Sequence, residues 1–255
     1  MSAAPVVLMY HGLGTVPAHQ DPDNLFVPVD TFARQVDRLL QRGYHVLGER
    51  EFIAWLDGAP TPSRSALLTF DDGLVSVLED AAPLLAERGL PSIAYVSPGL
   101  AGAGPGPDDP PERRLLDDSG MAALADAGVT LGCHSWVHDS MPGMTRSELA
   151  RATQDAGEAI GAITGQAPRT FAYPFGHHDA AARAAVSESG YDCGFATYDG
   201  DGRFALPRVD INATDTPRTF DLKLRRVYPT VRRALSRLPA ARRTLHRLVG
   251  EADRR

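Results

Sequence analysis

Thr69-Phe70-Asp71-Asp72-Gly73 places two carboxylates side by side directly after the apolar run Ala66-Leu67-Leu68. Such a run reads as a buried strand, and its end is where a functional loop begins. Burying one aspartate is costly. Burying two together costs more, because like charges raise each other's pKa. A metal ion or a proton-transfer task offsets that cost. Downstream, His134-Ser135-Trp136-Val137-His138 offers paired imidazoles, and Phe171-Ala172-Tyr173-Pro174-Phe175-Gly176 offers an aromatic loop stiffened by proline. In this order the three segments read as a metal-dependent hydrolase.

The elements that must position these residues alternate. Apolar runs at 6–10, 45–47, 66–70, 92–96, 129–133, 170–173, 193–197 and 206–212 read as strands. Helical periodicity covers 29–42, 49–56, 74–88, 119–127, 147–164 and 179–189. In the first of these helices Phe32, Val36, Leu39 and Leu40 share one face, and Asp30 is the candidate N-cap. Repeated strand–helix units predict an α/β fold of parallel strands with crossover helices. The chemical residues all fall at the C-terminal ends of strands, where sites form in barrels and open sheets. The segment 97–111, rich in Gly, Pro and Asp, reads as a substrate-facing excursion or a disordered loop.

A chain of 255 residues with 43% hydrophobic content can bury a sizeable core. No run approaches the ~18 apolar residues of a transmembrane helix. Nor do Met1 to Met9 resemble a secretory signal, because a basic start is missing and the apolar run is short. A cytoplasmic location, at most peripheral at the inner membrane face, is expected. Cys133 and Cys193 form no disulfide framework, and Cys133 reads as a small apolar strand-end residue despite preceding His134. His177 and His178 read as a solvated turn, and Asp199 and Asp201 as part of a glycine-rich one.

Thr69–Gly73, His134–His138 and Tyr173–Gly176 together resemble the three signature motifs of the polysaccharide deacetylase family, over roughly residues 6–212. The resemblance implies a distorted (β/α) barrel of about seven strands. It also implies a divalent metal and hydrolysis of N-acetyl, sometimes N-formyl or O-acetyl, groups. Asp72, His134 and His138 are the implied metal ligands, and Asp71 the implied base. The residue types agree with this: two imidazoles four apart can share one face of a helical turn, and a carboxylate completes a three-ligand site with open positions. Zinc is the default ion, while cobalt, nickel or iron suit the same ligands. The backbone N–H of Phe175 is the implied oxyanion donor.

The common family pattern has an arginine two residues before the motif proline, where this chain has Ala172. Arg169 and Arg208 are the candidates for its role of orienting the base. The pattern is closer to the biofilm poly-N-acetylglucosamine deacetylase branch. There a Tyr-His at the end of the first strand, here Tyr10-His11, supplies the proton for the leaving amine, a task suited to imidazole near neutral pH. The implied substrate is an N-acetylated amino sugar in a glycan, an oligosaccharide or a lipid-linked sugar. Two other readings stay open: an N-deacylase or deformylase of a small biosynthetic intermediate, and a non-catalytic carbohydrate-binding protein.

Charge divides the chain in two. Residues 1–220 carry 15 basic and 29 acidic side chains, whereas 221–255 carry 11 basic and 3 acidic. We therefore expect a catalytic domain over 1–220 and a basic, helical tail over 221–255. The tail's apolar positions recur at roughly helical spacing, which suits either contact with an anionic membrane or packing on the acidic body. Few aromatics and an acidic body argue against a nucleic-acid partner.

Overall fold

The computed structural model describes residues 4–106, 109–198, 200–225, 227–228 and 230–232. Its strands are β1 (Val6–Tyr10), β2 (Gly12–Leu13), β3 (Phe26–Val27), β4 (His45–Val46), β5 (Ser65–Phe70), β6 (Ile93–Val96), β7 (Thr130–Cys133), β8 (Thr170–Ala172), β9 (Cys193–Phe195) and β10 (Val209–Asp210). The helices are α1 (Val29–Gln41), α2 (Glu49–Leu56), α3 (Ala82–Glu87), α4 (Asp118–Asp126), α5 (Arg146–Ala150), α6 (Ala156–Thr164), α7 (Ala180–Glu188) and α8 (Pro217–Lys223).

The main sheet runs β10-β1-β5-β6-β7-β8-β9, with every pairing parallel. β4 pairs with the start of β5 and β6 with its end, so the two share one edge of that strand. A parallel bridge between Phe195 and Leu206 connects the β9 edge to the segment that becomes β10, and the sheet curls into a distorted barrel. Two further parallel residue pairs, Gly12 with Phe26 and Leu13 with Val27, form the separate β2–β3 ladder.

Strands buried on both faces need apolar side chains on both, and β1 and β5 have them. Leu8, Tyr10, Leu68 and Phe70 pack outward in the core shared with the helices, whereas Val7 and Leu67 point inward with Tyr95, Cys193 and Phe195. Phe52 of α2 plugs the interior, its ring tilted against Phe195 at a centroid distance of 5.4 Å. On the outer face Tyr10, Phe32 and Phe70 form an aromatic trio with centroids 5.1 to 5.7 Å apart. It clamps α1 to the ends of β1 and β5, the two strands that lead into His11 and Asp71.

Some local expectations change. Pro28, not Asp30, precedes α1 at the cap, and Asp30 instead pairs with Arg34 at 2.7 Å. The segment 74–88 turns helical at Val75, directly after Leu74 bridges Leu115, and takes a π-helical turn over Val77–Ala81. A second π turn, Arg151–Asp155, joins α5 to α6. There Tyr191 donates its hydroxyl to the Thr153 carbonyl at 2.8 Å, a side chain entering the helical ladder as such bulges require. The Gly/Pro-rich loop is pinned rather than loose where described: Gly99 donates to the Trp136 carbonyl, Gly102 to Leu116 and Leu116 to Gly73.

At the far end of the description α8 packs onto the barrel. Phe220 and Leu224 are buried, and Lys223 bonds Asp215 at 2.6 Å and the Asp210 carbonyl at 2.8 Å. Leu222, Val227 and Val231 remain exposed. Most of the tail lies outside the described residues, as does Asp199. Among the described residues no helix is long and apolar enough to cross a membrane.

Candidate active site

Phe70 is the last residue of β5, and the Asp71 N–H continues the ladder by donating to the Tyr10 carbonyl at 2.9 Å. The chain then turns sharply, because Asp72 takes a left-handed φ of 74°. That turn separates the two carboxylates. Asp71 points into the barrel, where Arg208 donates from Nη1 and Nη2 to its two oxygens at 2.6 and 2.7 Å. Asp72 faces the imidazoles: His138 Nε2 lies 3.2 Å and His134 Nε2 3.5 Å from its Oδ1.

His134 follows β7 and is buried, its N–H donating to the Val96 carbonyl. Its Nδ1 donates to the Ala172 carbonyl at 2.7 Å. A carbonyl only accepts, so Nδ1 carries a proton and Nε2 is the nitrogen turned toward Asp72, the one that would ligate a metal. His138 arrives by a different route from the helical turn expected. Ser135 and His138 are left-handed, with φ of 64° and 59°, and the segment between them is an irregular turn. Trp136 anchors this turn, seated so close against Gly99 that a Cβ there would stand 2.4 Å from its Nε1. With Asp72 and Phe175 (φ 59°), four of the five non-glycine residues of positive φ among the described residues border this site. Such conformations cost of order 1–3 kcal/mol each and concentrate where function fixes the backbone.

One ligand atom from each of Asp72, His134 and His138 lies within 4.8 Å of the others. Asp72 Oδ1 is buried and makes no hydrogen bond. A buried carboxylate oxygen that makes no hydrogen bond and faces two imidazole nitrogens fits a cation. Burial would raise the Asp72 pKa, but the two histidines hold it well below the usual carboxylate range. Burial acts the same way on Asp71, and the Arg208 guanidinium overrides it, so this carboxylate too stays anionic.

His11, half-buried after β1, stands close enough to both carboxylates to lower their pKa further. Phe175 sits in the short 3-10 turn Pro174–Gly176. Its ring meets His138 edge-on at 4.6 Å and remains 59% exposed, which leaves an apolar surface beside the ligand cluster. Of the two arginines expected near the base, Arg169 pairs instead with Asp192 at 2.8 Å, at the opposite end of β8. Arg208 alone reaches Asp71. His177 contacts Ser140 and His178 contacts Arg183 on the rim. The Cys133 thiol is buried, its pKa pushed up to about 12 by desolvation, and faces the Ala152 carbonyl on the helix side rather than the ligands.

A polysaccharide deacetylase family model matches residues 58–194, which contain Asp71, Asp72, His134, His138 and Phe175 but neither His11 nor Arg208. The protein YxkH of Bacillus subtilis, which carries the same family's name, is 25% identical over 212 residues, covering 81% of this chain and 71% of its own. Among solved structures, the deacetylase PplD of Streptococcus pyogenes in complex with acetate superimposes with a TM-score of 0.77. The two are 20% identical, over 88% of this chain and 100% of that one. IcaB from Ammonifex degensii gives 0.72 at 23% identity, over 86% and 94%. A de-N-acetylase from Aggregatibacter actinomycetemcomitans gives 0.70 at 17%, over 86% and 98%. These structures share the barrel architecture, and with the family match over more than half of its length, this chain belongs to the polysaccharide deacetylase family.

Proposed function

We propose that the chain is a divalent-metal-dependent hydrolase that removes an N-linked acetyl group from an amino sugar in a glycan, an oligosaccharide or a lipid-linked sugar. The observation that carries this is the uncommitted Asp72 Oδ1 facing His134 and His138, next to a carboxylate held by arginine. Asp72, His134 and His138 would hold the ion. Zinc is the first choice for such a set, with cobalt, nickel and iron as alternatives. When bound, the ion supplies Lewis acidity that acidifies water and polarises the acyl oxygen. Asp71, kept anionic and oriented by Arg208, takes the proton from the attacking water. The Phe175 N–H bonds the oxygen on which negative charge develops. His11, facing the same mouth, gives a proton to the departing amine. We assign these roles to residues 1–220 as the catalytic unit and 221–255 as an appended basic tail.

Acetate release from a panel of N-acetylated sugars, glycans and glycolipid precursors tests this, with metal-loaded wild type beside Asp71→Asn. Release by wild type that is lost in Asp71→Asn, with its metal retained, is the expected result. Release of formate from N-formylated counterparts, with no acetate from the panel, would transfer the reading to a deformylase. No release from any substrate despite bound metal would leave a binding role.

A further inference from the structure

Arg208 is held in place by more than its carboxylate. Tyr95 of β6, wholly buried inside the barrel, turns its ring toward the guanidinium at 5.5 Å. Phe195 turns a second ring toward it at 6.0 Å, and the two rings lie 6.0 Å apart. The Tyr95 hydroxyl donates to Thr170 Oγ1 at 3.2 Å. That hydroxyl donates onward to Glu49 Oε1 at 2.9 Å. A chain of direct contacts therefore runs from the first residue of α2, at the N-terminal end of the barrel, to the Asp71 carboxylate at the other. Thr170 is completely buried and Glu49 nearly so.

Gly132 of β7 makes room for this arrangement. A Cβ there would stand 2.3 Å from Cε1 of Tyr95, closer than real Cβ atoms approach anything. An aliphatic side chain would have filled the interior at less cost than a phenol that needs a partner for its hydroxyl. The edge of the guanidinium is occupied by hydrogen bonds to Asp71 and to the Ala196 carbonyl. Its faces can make none, so the Tyr95 and Phe195 rings are the groups that can limit its tilt out of that plane. A two-pronged fork delivers both oxygens in register only if that tilt is fixed.

We propose that Tyr95 is a positioning residue: its ring holds the Arg208 fork aligned with Asp71, and the Thr170–Glu49 relay holds the ring. This rests on Asp71 serving as the base. Misplacement of a base by about 1 Å can cost about 100-fold in turnover, so the effect belongs in kcat.

The test uses the full metal-loaded chain, with 4-nitrophenyl acetate and an N-acetylglucosamine oligomer as probes, and a crystal structure of the key variant. Tyr95→Leu should lower kcat about 10-fold or more, with KM and bound metal unchanged and the Arg208 fork displaced from Asp71. Tyr95→Phe keeps the ring and should lose only about 3-fold; Thr170→Val should match it, and the double variant should lose no more, because both break one relay. The proposal is overturned by unchanged kcat in Tyr95→Leu, by an undisturbed fork, or by kcat, KM and metal content failing together. Should Tyr95→Leu not fold, the relay pair decides: absent or additive losses reject it. If wild type hydrolyses neither probe, the deacetylase reading fails, while the fork geometry in the variant still settles whether Tyr95 positions Arg208.

Discussion

Arg208 and Asp71 are joined by both arms of the guanidinium although 137 residues separate them in the chain. Both side chains are almost fully buried, so neither has water as an alternative partner. Arg208 directly precedes β10, so the segment that completes the curled sheet also supplies the group that keeps Asp71 ionised.

Breaking that fork should affect stability and turnover separately. Arg208→Met strands the Asp71 charge and should destabilise the fold by about 3–5 kcal/mol, as removal of one partner of a buried ion pair does. Arg208→Lys keeps the charge but not the bidentate geometry. It should fold better than the Met variant and still lose about 100-fold in kcat. Urea denaturation and acetate release measure the two effects.

Removal of a ligand should empty the metal site. His134→Ala and His138→Ala should each abolish stoichiometric metal binding, while Asp71→Asn should retain it. Elemental analysis of the purified variants decides. In the metal-free protein, burial lowers the His134 pKa but Asp71 and Asp72 raise it more, so the net shift is upward. A raised folded-state pKa means that His134 contributes stability fully present below its unfolded value, near 6.5, and lost as pH rises through the folded value. The metal-free chain should therefore lose stability across that window. The metal-loaded chain should behave oppositely at its acid end, because protons compete with the ion for the same nitrogen. Melting curves with and without chelator, run across pH, compare the two.

Gly99→Ala probes the seat of Trp136. The added Cβ would lie 2.4 Å from Trp136 Nε1 and 2.6 Å from its carbonyl oxygen. Overpacking of this kind costs about 1–3 kcal/mol. Because Trp136 lies between His134 and His138, metal affinity should fall along with stability, although the mutated residue is no ligand. Calorimetric titration with zinc measures it.

Glu49→Gln tests the inner end of the relay. Burial raises the Glu49 pKa against the opposing bond from Thr170 and the charge of Arg169. A carboxyl whose folded pKa is raised binds its proton more tightly when folded, so wild type loses stability as pH climbs from the unfolded value toward the folded one. The glutamine variant keeps an acceptor for Thr170 and lacks that dependence. Its melting temperature relative to wild type should rise with pH through that window, with kcat nearly unchanged. A constant difference between the two would count against this account.

That Asp72 and His134 stand close together was legible because each lies just past a short apolar run, and a strand end is a local property. The partner of the base was not. Arg169 and Arg208 both flank strands, and only the closure of the sheet shows that one faces Asp192 outside and the other Asp71 inside. Spacing alone suggested a helical turn for His134 and His138, but the left-handed Ser135 breaks it, and no propensity at serine foretells that. The β2–β3 ladder is two residues deep on each side, below what alternation can register. Asp30 looked like a cap by type, yet the cap lies two residues earlier, at Pro28.

A chain is synthesised from its N-terminus, and the parts of this site are spread unevenly along that direction. His11, Asp71, Asp72, His134 and His138 have all emerged before Leu206 meets Phe195 and Val209 pairs with Leu8. Every proposed metal ligand thus emerges well before Arg208, which restrains Asp71. A nascent or truncated chain stopped short of that closing strand could capture an ion yet would lack the oriented carboxylate for hydrolysis. On the roles proposed above, metal capture and catalytic competence would be separable stages in the life of this polypeptide.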